Sequence, residues 1–133
     1  MRMVATVATS TKVLVVEDND TTRAMLESML ETEGYDVSIV PNGLQALTHL
    51  SDNVPDAVVL DVMMPGIDGF GVLEWIRANE GTRSIPVLML TALDDGDSTW
   101  KGWATGCNYY MTKPFEIEAL LEVLDHLVSG VVA

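Results

Sequence analysis

Three acids and one amine stand at the ends of apolar runs in this chain. Glu17 and Asp18 close Val13-Leu14-Val15-Val16, Asp61 closes Ala57-Val58-Val59-Leu60, and Lys113, followed by Pro114, comes just after Tyr109-Tyr110-Met111. The end of a buried strand is where open α/β sheets bind ligands. Carboxylate oxygens suit a hard divalent cation, and an ammonium suits an anion as a point charge. Together these residues suggest a metal-assisted phosphate site.

Bringing them together requires a sheet. Strand candidates fall at 13–17, 36–40, 56–60, 86–90 and 108–111. The first, third and fourth are nearly continuous apolar runs, as in central strands of a parallel sheet covered on both faces. The second and fifth are less apolar and read as edges. Helical periods lie between them. Residues 20–33 place Met25, Leu26, Met29 and Leu30 on one stripe, with Asp20 or Thr21 to cap the start and Gly34 to stop the end. Further periods run over 43–50, 69–78, 95–105 and 115–128. Five strand–helix units with short connections predict a doubly wound α/β fold with right-handed crossovers.

Composition narrows the function. The chain has 133 residues, fitting one domain, and 48% of them are hydrophobic, enough for a core. No apolar run approaches the ~20 residues of a membrane span, so no membrane insertion is expected. The first eleven residues are too short and polar for a secretory leader. A single cysteine, Cys107, excludes an internal disulfide and fits a reducing, cytoplasmic setting. Net charge is −13, from 20 acids against 7 scattered bases, which argues against direct nucleic-acid binding.

Four pieces carry a resemblance: Lys12-Val13-Leu14-Val15-Val16-Glu17-Asp18, Asp61-Val62-Met63-Met64-Pro65-Gly66-Ile67-Asp68-Gly69, Thr91-Ala92 and Lys113-Pro114-Phe115. In this order, each at a strand end, they make the chain resemble the receiver domain of bacterial two-component response regulators. The likeness covers 12–128, leaving 1–11 as an N-terminal extension and 129–133 as a tail too short for an output domain. It implies a flavodoxin-like (βα)5 fold of strand order 2-1-3-4-5. It also implies that Asp61 is the phosphoacceptor. Asp18 and Asp61 would ligate Mg²⁺ directly, Glu17 through water, and Met63 through its backbone carbonyl, with Mn²⁺ a possible substitute. Glu17 stands where aspartate is commoner in the family, but keeps the charge. Thr91, Ala92 and Lys113 would receive the phosphoryl group, the Lys113–Pro114 peptide would be cis, and Tyr110 would be the switch aromatic.

Charge explains why such a site needs a cation. Three acids against one lysine leave a net negative pocket, and an incoming phosphoryl group adds roughly −1.5 to −2. A divalent ion brings the pocket near neutral before that group arrives. Met63 and Leu93, two residues beyond Asp61 and Thr91, are bulky and apolar and are expected to shield an acyl phosphate from water. Trp100 is expected to face inward and Trp103 to sit at the margin near Tyr110, as an anchor for a partner. By resemblance, a sensor histidine kinase or histidine phosphotransfer protein would dock on the first helix around Thr22, Met25 and Leu26, and a downstream protein would be the target.

Other functions fit less well. A flavin redox protein on this topology wants a hydroxyl- and glycine-rich phosphate loop after the first strand, where this chain has Glu17-Asp18-Asn19-Asp20. An aspartyl phosphatase wants a second acid two residues after its nucleophile, where this chain has Met63. A phosphate-independent pseudo-receiver need not keep the acceptor residues, and all are present. The expected activity is a self-phosphorylating and self-dephosphorylating switch rather than an enzyme with an external substrate. The alternative is a receiver portion of a longer transcriptional or enzymatic regulator. The last helix has no Lys or Arg through Val128, which speaks against a receiver that dimerises on DNA.

Overall fold

A computed structural model of the chain describes residues 11–92 and 96–129, with the side chains of 96–100 excepted. Strands β1 (Lys12–Val16), β2 (Asp36–Val40), β3 (Ala57–Asp61), β4 (Val87–Thr91) and β5 (Tyr109–Thr112) alternate with helices α1 (Asp20–Thr32), α2 (Gly43–Asp52), α3 (Gly69–Ala78), α4 (Gly96–Thr105) and α5 (Ile117–Ser129). All pairings are parallel and the strand order is β2-β1-β3-β4-β5. The expected strands and helices are all present, most with ends shifted by one or two residues.

The alternation of side chains along each strand divides the core in two. Leu14, Val16, Val58, Leu60, Val87 and Met89 face Ala46 and Leu50 of α2 and Val72, Leu73 and Ile76 of α3. Val13, Val15, Ala57, Val59, Leu88 and Leu90 face Leu26 and Leu30 of α1 and Leu120, Leu121 and Leu124 of α5. Each fully buried leucine contributes roughly 1.5–3 kcal/mol. β1, β3 and β4 are buried along nearly their whole length, while β2 and β5 are only half-buried, as expected of edges.

Polar side chains hold the helix starts. Asn19, not Asp20 or Thr21, caps α1: its Oδ1 accepts from the Thr22 amide at 2.9 Å. Asn42 and Asp68 cap α2 and α3 in the same way, at 2.8 and 2.9 Å. At the other end of the sheet, Arg77 near the end of α3 donates to the carbonyls of Gly106 (2.8 Å), Arg83 (3.0 Å) and Ile85 (2.7 Å) and to Asn108 Oδ1 (2.9 Å). Burial lowers the pKa of this guanidinium, against the raising influence of the neighbouring Cys107, while the Cys107 thiol is pushed up to about 11, chiefly by burial. Among the described residues no helix is long and apolar enough to cross a membrane.

Candidate functional site

Register assembles the site. Val16 of β1 lies level with Leu60 of β3, so the residues that follow, Glu17 and Asp61, emerge side by side. β1 and β3 are the neighbours between which the strand order reverses, the place where doubly wound sheets open a crevice. Thr91 follows Leu90, the partner of Asp61, and pairs with Thr112 on β5. The Lys113 amide donates to the Thr91 carbonyl at 2.6 Å, which carries Lys113 to the same end. The Lys113–Pro114 peptide is cis.

The three acids converge. Glu17, Asp18 and Asp61 can each place a carboxylate oxygen within 4.8 Å of the other two. Glu17 and Asp61 are buried, at 1% and 3% exposure, while Asp18 faces solvent. Lys113 Nζ donates to Glu17 Oε1 at 2.8 Å and stands 3.5 Å from Asp61 Oδ1. The second Glu17 oxygen accepts from the Asn19 amide at 3.0 Å. The Met63 amide donates to Asp61 Oδ1 at 3.3 Å. The start of α3 presses against this strand end: a Cβ on Gly69 would lie 2.4 Å from the Asp61 carbonyl oxygen and 2.7 Å from Val62 Cα. Only glycine fits there.

The electrostatics follow from crowding. Burial pushes the Asp61 carboxyl from 3.8 to about 7, the charge of Glu17 adds to the rise, and Lys113 partly opposes it. Burial alone would lower the Lys113 pKa, but the Glu17 bond and the charges of Asp61 and Glu17 outweigh it and the pKa rises. Three hard oxygen donors beside a single ammonium fit a small divalent cation such as Mg²⁺.

The remaining expected residues divide. Thr91 is fully buried and Ala92 beside it is exposed. The Met63 side chain is exposed. Thr22 is partly buried, with its amide on the Asn19 cap, and Met25 is exposed on α1, but Leu26, expected on the same docking face, is fully buried in the core and cannot serve there. Tyr110 is half-buried against the α2–α3 core, with its ring under Gly102 of α4, where a Cβ would lie 2.9 Å from the ring. Trp103 is 49% exposed, as expected at a margin, but its ring meets Tyr109 edge-on at 6.4 Å rather than Tyr110. Alternation explains this: Tyr110 turns inward and Tyr109 outward. Leu93 and the Trp100 side chain lie outside the described residues.

Sequence reasoning missed two contacts at this end. Lys101 of α4 places Nζ 4.7 Å from the Phe70 ring centroid at the start of α3. Arg23, which read as one scattered base, donates to the Glu17 carbonyl at 3.0 Å. Its place one turn into the helix after Glu17-Asp18 was the available signal.

Comparison with known proteins decides the family. The chain matches the response regulator receiver domain over residues 13–125. It belongs to that family. The receiver is similar to the response regulator PleD of Caulobacter vibrioides (39% identity over 107 residues), covering 80% of this chain but only 24% of PleD. It is also similar to protein PilG of Pseudomonas aeruginosa, at 37% identity over 110 residues, 83% of this chain and 82% of PilG. The chain therefore spans about a quarter of one relative and most of another. Among solved structures, the receiver domain of a sensor histidine kinase from Pseudomonas aeruginosa, crystallised with magnesium in its active-site cleft, superposes with a TM-score of 0.84 at 31% identity, covering 91% of this chain and 99% of that one. This receiver shares the CheY-like fold of its neighbours.

Proposed function

We propose that this receiver is a phosphorylation-dependent switch in which Asp61 takes a phosphoryl group from a phosphohistidine of a sensor kinase or phosphotransfer protein. The observation that carries this reading is the convergence of Glu17, Asp18 and Asp61 with Lys113 at one strand end. An Asp61 carboxylate oxygen attacks phosphorus, the P–N bond to the donor imidazole breaks with its electron pair leaving to nitrogen, and an acyl phosphate remains on Asp61. Glu17, Asp18, Asp61 and the Met63 carbonyl would hold Mg²⁺, or Mn²⁺ in its place. When bound, that ion offsets the negative charge gathered in the pocket.

The chain's own residues do the rest. Lys113, now on Glu17, is 3.5 Å from Asp61, a separation that supports its pairing with a phosphoryl oxygen. Thr91 and Ala92 offer a hydroxyl and a backbone amide at the end of β4. Movement of Thr91 toward phosphate alters the wall beside Tyr110, whose change of packing alters the face shared by α4 and β5. Trp103 and Tyr109 lie on that face. The receiver acts on itself and signals by protein contact in the cytoplasm. Kinase docking falls to α1 around Thr22 and Met25. The net charge of −13 disfavours direct contact with nucleic acid.

The test is incubation with a small acyl-phosphate donor and Mg²⁺, followed by intact mass and peptide mapping. One phosphoryl group on Asp61, absent in EDTA, is expected. An unmodified Asp61 would favour a phosphate-independent binding module.

A further inference from the structure

The loop from β1 to α1 carries Glu17 and Asp18, and a single side chain gathers it. Arg23 Nη1 donates to the Glu17 carbonyl at 3.0 Å and approaches the Asp18 carbonyl at 3.4 Å, while Nη2 pairs with the Asp20 carboxylate. The Arg23 amide donates to the Asn19 carbonyl at 2.9 Å. The guanidinium thus binds three of four consecutive residues, and the Arg23 side chain is only 19% exposed. The loop so held presents the Asn19 amide to Glu17 Oε2, the carboxylate oxygen that Lys113 does not take. Capping of α1 does not need this clamp, since Asn19 already accepts from Thr22.

We infer that Arg23 is a positioning residue for the Glu17–Asp18 pair, fixing the backbone from which both carboxylates reach Asp61 and so setting the affinity for a divalent cation. The inference rests on the phosphoacceptor reading of the site. Its physical basis is repulsion. Three carboxylates within 4.8 Å of one another are relieved if exposed Asp18 swings away, and the clamp on the Glu17 and Asp18 carbonyls resists that swing. Groups that orient ligands in this way are typically worth about 10- to 100-fold in metal affinity. Two effects compete, because the guanidinium charge itself repels a cation. Lysine separates them: it keeps the charge but lacks the planar fork that spans two carbonyls and a carboxylate.

The experiment is calorimetric titration of Mg²⁺ into wild type, Arg23→Lys, Arg23→Met and Asp20→Asn. Phosphorylation of each by a small acyl-phosphate donor is then followed across Mg²⁺ concentration. Both Arg23 variants are expected to raise the Mg²⁺ dissociation constant about tenfold. The half-saturating Mg²⁺ for phosphorylation should rise by the same factor, with the rate at saturating Mg²⁺ within about twofold of wild type. Asp20→Asn, on an exposed side chain, is expected to weaken Mg²⁺ by about two- to threefold. Should Arg23→Met fail to fold, Arg23→Lys and Asp20→Asn carry the test. Wild-type affinity in Arg23→Lys overturns the positioning role, whatever the change in thermal stability. A wild type that binds Mg²⁺ and is phosphorylated, beside variants that do both equally well, removes the role of Arg23 alone. A wild type that does neither removes the phosphoacceptor reading itself.

Discussion

At the amino end of β4 and β5, the Arg77 guanidinium is met by three carbonyls and an amide oxygen, all uncharged. At the carboxyl end of β1 and β3, three carboxylates are met by the Lys113 ammonium. Both ends bury charge, but they satisfy it differently. Arg77 joins the end of α3 to the segments entering β4 and β5, with fixed partners from the protein itself. Lys113 covers one oxygen of Glu17, stands at longer range from Asp61, and leaves net negative charge in place. One end is complete and stabilises the fold; the other gathers like charges that a divalent cation would offset. Burial of uncompensated charge is expensive, so its persistence there supports the proposed phosphoacceptor site.

Replacing Asp61 by Asn tests the contrast most severely. Phosphoryl incorporation should fall to background, read by mass spectrometry, because the attacking carboxylate is gone and an amide does not replace it as a nucleophile. The same variant should unfold at higher denaturant than wild type in EDTA at pH 7.5, since it removes a buried charge. A destabilised Asp61→Asn would break the comparison. Arg77→Met should show the reverse. Loss of bonds to a partly buried cation should cost about 3 kcal/mol in urea unfolding, with phosphorylation of the folded protein within about twofold of wild type.

A pH series sharpens the same point. Burial raises the Asp61 carboxyl in the folded protein from its ordinary 3.8 to about 7. The folded state therefore binds more protons between these values, and metal-free stability should decline as pH rises across that window, by roughly 2–4 kcal/mol in total. Asp61→Asn should flatten this part of the profile. Added Mg²⁺, which binds the deprotonated acid, should restore stability most at the alkaline side. The smallest effect belongs to Met63, whose side chain is exposed beside Asp61. Met63→Asn should speed loss of phosphate several-fold by admitting water, roughly 1 kcal/mol in barrier, with unfolding nearly unchanged. Equal decay rates would remove its shielding role.

Much of this contrast could be read from the sequence at one end only. Glu17, Asp18, Asp61, Thr91 and Lys113 announce themselves because each terminates an apolar run, and parallel pairing then brings strand ends level. The five elements of each kind were likewise visible, since short continuous apolar runs and 3.6-residue apolar periods differ plainly. The Arg77 cluster was not visible, because its acceptors are mostly backbone carbonyls, which no side-chain pattern records. The same holds for Arg23, whose partners include the Glu17 and Asp18 carbonyls. The cap of α1 was placed one or two residues late because Asn19, Asp20 and Thr21 are all competent caps and only backbone geometry chooses among them. The Trp103–Tyr109 ring contact was not visible either, because distance along a helix does not say which side of β5 an aromatic overhangs.

Gly102 has a consequence of its own. It lies where α4 passes so close above the Tyr110 ring that a methyl group would collide with it. If Tyr110 rotates outward, the space it leaves has a roof with no side chain to drop into it. An empty volume of ring size in a packed interior costs several kcal/mol, so the helix itself must settle toward the sheet. A bare backbone at this position would thus turn the rotation of one ring into displacement of a whole helix.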